Sequence, residues 1–434
     1  MKTKKRKTKK IPTKANEPFE LVRETKELCK EQESAFKKIK ESSHAFLTGY
    51  AGSGKSTLLE EIKEQIDCIV LAPTGVAAVN VGGDTIHSFF KFPLKVLNPD
   101  DIMQTKQLKD RFKYVECIII DEVSMVRADI MDAIDLSLRK NRIAEIPFGD
   151  VKMIFVGDLH QLPPVVTSKD KQVLRKEYNS PFFFSAKVFR EVELTKIILR
   201  ENHRQTDKQF SNSLNNIAKC RYKVNYLNKR AGKKPPDGII NLCTTNHVVD
   251  HINKEQLDEL DTKLKTFNGK IKGKFPENHL PVEEELKLKK GARVMTLVNT
   301  ENDYKNGDIG TIIKISGGKI KVKFDRGFTC FVERHEWSKI KYHNLGYNKT
   351  IEPFSVGRYR QFPLRLAWAI TIHKCQGLTL DAAVINLGTR VFSYGQTYVA
   401  LSRVRTIDGL YLKRIIREDD LIRSKTIAEF LGED

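Results

Sequence analysis

A chain of 434 residues, 40% hydrophobic and 30% charged, is longer than one compact core and is expected to divide into about two to four domains. Its apolar runs all fall short of the roughly 18–20 residues of a membrane span, which excludes a helical membrane protein. The formal net charge of +21 favours a polyanionic partner, nucleic acid ahead of lipid, because no lipid-anchoring pattern accompanies it.

Residues 1–24 hold the run Lys2-Thr3-Lys4-Lys5-Arg6-Lys7-Thr8-Lys9-Lys10 and are expected to form a basic tail that repels itself into disorder. The tail suits a non-specific DNA-binding arm, a nuclear address or a solubilising segment. No apolar signal core is present, and the seven cysteines are scattered without a C-x-x-C pair. An intracellular, soluble protein with reduced thiols follows, cytoplasmic from a prokaryotic or viral source, nuclear if the tail is an address.

Helical patterns at 28–41, 55–66, 74–80 and 127–140 alternate with apolar runs at 44–48, 68–72, 115–120 and 152–156. The alternation predicts a parallel sheet with helices on both faces over residues 25–190, with an insertion at about 80–113. Pro181-Phe182-Phe183-Phe184 reads as buried packing. A second α/β region is expected over 191–299 plus 361–434, with helices at 207–219 and 247–260 around a strand at 239–243. Between its parts, short β-rich runs fill 300–360, and Lys319-Ile320-Lys321-Val322-Lys323-Phe324 has the two-residue period of a half-buried strand. A small antiparallel barrel inserted there is predicted.

Gly49-Tyr50-Ala51-Gly52-Ser53-Gly54-Lys55-Ser56 fits the pattern G-x-x-x-x-G-K-[S/T], with an apolar run before it and a helical run from Thr57 after it. Glycines let backbone N–H groups turn onto phosphate oxygens, and the helix that follows presents its positive end there. Gly49, Ala51, Gly52, Ser53, Gly54 and Thr57 are thus candidates to hold a nucleoside triphosphate, Lys55 to reach its outer phosphates and Ser56 to give a hydroxyl to Mg²⁺. The apolar run Cys117–Ile120 ends in Asp121 and Glu122, about sixty-five residues later. Asp121 suits Mg²⁺ through its water shell, and Glu122 suits the general base for the attacking water. Gln161, in the loop Gly157-Asp158-Leu159-His160-Gln161-Leu162-Pro163-Pro164, can bond both phosphate and water, although the loop also reads as a surface turn. Pro163-Pro164 would stiffen its exit.

Read in order, Gln32, the Gly49–Ser56 loop, Ala72-Pro73-Thr74-Gly75, Thr85-Ile86-His87-Ser88-Phe89, Ile119–Met125, Gly157–Val165, Arg204-Gln205, Thr371–Thr379 and Gln396–Arg403 form a set. The set resembles the superfamily-one DNA helicases of the petite-integration-frequency (PIF) type, relatives of the RecD group, over roughly residues 25–415. The resemblance implies an α/β fold of two RecA-like P-loop motor domains, with an SH3-like β-barrel inserted in the second. ATP would lie between them, with single-stranded DNA across their top and 5′-to-3′ movement that unwinds forked or tailed duplexes, as a monomer. A DNA-stimulated ATPase that remodels protein–DNA complexes is the other reading.

The resemblance also assigns roles. Gln32 would read adenine, Arg403 would be the arginine finger, and Gln376 and Gly377 would lie near the γ-phosphate. Ile198–His203 departs from the family pattern; Arg204 is favoured for the γ-phosphate because Thr206-Asp207 and the helix after it keep their usual order, with Arg200 as the alternative. Thr74, His87, Phe89, Pro163, Asn246, Thr371, His373 and Lys374 are the candidate DNA contacts, by phosphate bonding and base stacking. Phe89 also fits a core position, and His373 also fits a hydrogen-bonded structural histidine. The lysine face of 319–323 suits the DNA channel or a solvated edge strand.

Overall fold

The computed structural model describes residues 28–205, 207–273, 280–298, 300, 303–316, 318–343 and 352–433. The predicted tail 1–24 lies outside them.

The first sheet has six parallel strands in the order Asp84–Thr85, Ile69–Ala72, Cys117–Ile120, Lys152–Val156, His44–Gly49 and Thr195–Leu199. Successive side chains of a strand point to opposite faces, and the central strands are apolar on both. Ala45, Leu47, Ile119, Ile154 and Val156 meet the helices Lys30–Glu41 and Lys55–Gln65 through Ala35, Ile39, Leu58 and Ile62. Phe46, Ile118, Ile120 and Phe155 face the other way, onto Met131, Ile134 and Leu138 of the helix Ala128–Arg142 and onto Phe183. Burying one such leucine or phenylalanine contributes about 1.5–3 kcal/mol, so continuous apolar strands need both helical layers.

The second sheet is also parallel, in the order Ala369–Thr371, Asn241–Cys243, Ala383–Asn386 and Leu410–Leu412. Phe210, Leu214 and Ile217 of the helix Lys208–Ala218 share a core with Val399 and Leu401 of the helix Gln396–Ser402. Val249 of the helix Asn246–Asp258 packs with Cys243 and Ala369.

Three expectations about boundaries are corrected. Thr195–Leu199, expected in the second region, pairs in parallel with Ala45–Gly49 and closes the first sheet. It is a half-exposed edge strand, and its alternation marks a strand without naming its sheet. The β insertion runs from Lys265 to Leu366, beyond the expected 300–360, as antiparallel sheets of five, three and two strands. Its early strands Lys265–Asn268 and Lys270–Gly273 are largely exposed and lack an apolar period. Within it Ile320, Val322 and Phe324 are buried as their alternation predicts. Finally, the helix Lys425–Leu431 returns to the first domain, where Phe430 stacks on Phe184 at 4.0 Å. Among the described residues no helix is long and apolar enough to cross a membrane.

Candidate active site

The loop 49–56 leaves the His44–Gly49 strand and enters the helix Lys55–Gln65 through two glycines with left-handed backbones, Gly52 (φ 87°) and Gly54 (φ 82°). Space is as restrictive as torsion there. A Cβ on Gly54 would lie 2.4 Å from Gln32 Nε2, and one on Gly52 2.6 Å from Arg204 Cβ. Lys55 Nζ bonds the carbonyls of Gly49 (2.6 Å) and Tyr50 (3.0 Å), with Ser53 Oγ at 3.5 Å, and burial lowers its pKa.

One cavity of about 380 Å³ takes in Ala51 to Thr57, Asp121, Glu122, Gln161, Arg204, Gly377 and Arg403. Residues from both domains line it. The Ser56 hydroxyl and the Asp121 carboxylate share it as hard oxygen donors, a set suited to Mg²⁺. Asp121 is raised in pKa by burial. Glu122 is pushed up to about 7, first by burial and then by the neighbouring Asp121 charge. It sits at the turn after its strand with φ 50°, a conformation side-chain-bearing residues rarely adopt.

The second domain supplies the rest. Gln376 Nε2 donates to Glu122 Oε2 at 3.0 Å. Arg403, only 2% exposed, is held by Val399 O (3.0 Å), Leu378 O (3.2 Å) and Ser402 Oγ (2.9 Å). Arg204 Nη1 donates to Ser402 O at 3.1 Å, and burial with the charge of Arg403 lowers its pKa to about 10. Arg200 instead is exposed, its backbone N–H bound by Glu31 Oε1 at 2.9 Å. Gln161 is buried, donates from Nε2 to Asp158 Oδ2 at 3.2 Å, and leaves Oε1 without a partner. Gln32 is buried behind the loop, donating to Gly54 O (3.2 Å) and accepting from the Cys29 N–H (2.9 Å). Both ends of its amide are engaged, so reading adenine requires an exchange of partners. Beside it, ligand atoms of Cys29, Glu201 and His203 lie within 4.8 Å of one another at the surface, a grouping the spacing of the cysteines did not reveal.

The candidate DNA contacts divide. Thr74 Oγ1 caps its own helix through the Ala77 N–H (3.2 Å), and His87 is half-buried against Phe92. Phe89 is not a stacking platform: it is 6% exposed, packed on Phe90 and Phe112 in the first domain's core. A pair of adjacent phenylalanines reads the same either way in sequence, and here the helix Ile86–Phe90 turns both inward. Pro163 is half-buried at the exit of the Gln161 loop. Asn246 is exposed at the start of its helix. Buried Thr371 and exposed Lys374 line a second cavity, about 690 Å³, between that helix and the β insertion. His373 is half-buried and kept below its usual pKa by desolvation. Phe392 stacks over it at 6.5 Å and is 58% exposed, a solvent-facing aromatic that no motif reading singled out. Asp158 and Tyr398 carry no role in the motif pattern, although they lie inside Gly157–Val165 and Gln396–Arg403.

A phosphate loop and carboxylate pair on one parallel sheet, completed by an arginine from a second, define a P-loop protein with two RecA-like domains. A family model described as PIF1-like helicase matches residues 27–228. The chain is 32% identical over 405 residues to the ATP-dependent DNA helicase Pif1 of Bdellovibrio bacteriovorus, covering 89% of this chain and 88% of that one. It is 33% identical over 404 residues to ATP-dependent DNA helicase PIF1 of Xenopus laevis, covering 88% of this chain and 61% of that protein's length. The crystal structure of Bacteroides Pif1 bound to ssDNA matches with 38% identity and a TM-score of 0.75, over 94% of this chain and 97% of that one. The chain belongs to the PIF1-like helicase family.

Proposed function

We propose that this chain is an ATP-dependent DNA helicase that moves 5′-to-3′ on single-stranded DNA and unwinds tailed or forked duplexes inside the cell, as a single chain. The observation that carries the reading is the hydrogen bond from Gln376 to Glu122, which joins the candidate general base of the first domain to the second domain. Arg403 enters the same cavity, so the full catalytic set exists only when the domains are together. Glu122 takes the proton of the attacking water, Arg403 and Lys55 balance charge developing on the phosphates, and Arg204 contacts the γ-phosphate. Ser56 and Asp121 would hold Mg²⁺, which when bound neutralises phosphate charge. Thr371 and Lys374 in the second cavity, with Phe392 and His373 stacked nearby, supply phosphate and base contacts that tolerate any sequence.

The test is unwinding of duplexes that carry only a 5′ tail or only a 3′ tail, with Lys55→Ala as the inactive control. Preference for the 5′ tail is expected; preference for the 3′ tail reverses the polarity. Displacement of a bound protein without strand separation would favour the remodelling ATPase instead.

A further inference from the structure

The helix Gln396–Ser402 ends at Arg403 and begins at Gly395, which presses on the Gln161 loop. A Cβ on Gly395 would lie 2.3 Å from Gln161 O and 2.5 Å from His160 O. One turn into this helix, the Tyr398 hydroxyl crosses to the first domain and makes two bonds there. It accepts the Ala51 N–H of the phosphate loop at 2.7 Å and donates to Asp158 Oδ2 at 3.1 Å. A phenol has one proton to give, and burial keeps it on by raising the pKa well above its usual value. Asp158 is a junction as well. Its Oδ1 accepts the His160 N–H at 3.0 Å, and its Oδ2 also takes Gln161 Nε2 at 3.2 Å. Because a carboxylate only accepts, it fixes the NH₂ end of the Gln161 amide toward itself and leaves Oε1 as the free acceptor. Tyr398 and Asp158 are 2% and 1% exposed, so water does not replace a lost bond.

We infer that Tyr398 and Asp158 are a positioning pair for ATP hydrolysis, through which the helix that delivers Arg403 also sets the phosphate loop at Ala51 and the amide of Gln161. Neither touches the reacting atoms; they act through Gln161 and the loop. The inference rests on the motor reading above and adds a coupling to it: the arginine and the water-orienting amide are brought into place by one movement.

The experiment is a double-mutant cycle on the full chain, measuring kcat and KM for ssDNA-stimulated ATP hydrolysis and anisotropy of a labelled oligonucleotide. Tyr398→Phe and Asp158→Asn are each expected to lower kcat about 10- to 100-fold, the range of a lost bond to a buried charged group. KM for ATP and DNA affinity are expected to change much less than kcat, because neither side chain itself contacts phosphate or DNA. The double variant is expected to match the worse single one. Single effects that multiply, or a lower melting temperature with intact kcat, assign the pair a merely structural role and overturn the proposal. Should Tyr398→Phe fail to fold, Asp158→Asn alone carries the test, and unchanged kcat there overturns it. Wild-type hydrolysis indifferent to DNA would sink the motor reading and this pair with it, whereas DNA-stimulated wild type with unaffected variants overturns the pair alone.

Discussion

In the first domain the candidate site residues are set by backbone: Gly52 and Gly54 take torsions other residues avoid, Lys55 opens a helix, and Glu122 turns at the end of a fully buried strand. In the second domain the candidate residues, a positioning tyrosine among them, are set by reach. Gln376, Tyr398 and Arg403 arrive as side chains from a loop and a seven-residue helix, and each makes or approaches a contact across the cleft. A nucleotide cradle made of backbone keeps its glycine torsions within the first domain, with the Ala51–Tyr398 bond as its tie to the second. A base, an amide and an arginine completed by reach exist only while the domains meet. On this contrast, nucleotide binding is expected of the first domain and hydrolysis of the contact between the two.

Removing the reaching arginine tests that division most severely. Arg403→Ala is expected to lower DNA-stimulated kcat about 10³- to 10⁵-fold, the range for arginine fingers, with ssDNA affinity near that of the wild type. Loss of both in anisotropy and turnover assays would move Arg403 out of the finger role. Glu122→Gln is expected to cost about 10²- to 10⁴-fold in kcat while a fluorescent ATP analogue still binds, separating the cradle from the chemistry. Phe392→Ala, in the second domain only, is expected to weaken ssDNA binding by about 1–3 kcal/mol without changing hydrolysis at saturating DNA.

The smallest effect sharpens the comparison through pH. Glu122 sits near 7 through burial and the charge of Asp121, while Arg403 and the Gln376 bond pull it down. As the proposed base it would work above that value, so kcat is expected to fall as pH drops below about 7. Gln376→Leu removes a bond that favours the charged form and is expected to shift the acidic limb to higher pH. An unshifted limb in the pH–kcat profile would mean that the second domain does not tune the base.

The same contrast explains what the sequence made legible. Gly49–Ser56 and the run Cys117–Glu122 carry their roles locally, since torsion, strand and turn are properties of neighbours in the chain. The apolar strands announced a parallel sheet by the same logic. Partners across the fold were not legible in this way. Thr195–Leu199 reads as a strand but not as the edge of the first sheet, and Phe89 reads as platform or core until Phe112 is seen beneath it. Phe430 docks on a domain left about 230 residues earlier. Tyr398 lies in the middle of a quoted motif, yet its meaning depends on Ala51 and Asp158, which only folding brings near.

Titrating single-stranded DNA into the full chain at saturating ATP and Mg²⁺, with the hydrolysis rate read at each step, tests the conditional site most directly. The rate is expected to rise at least about tenfold and to saturate with DNA occupancy, as domain contact becomes the populated state. A rate that is high without DNA and flat across the titration would contradict it.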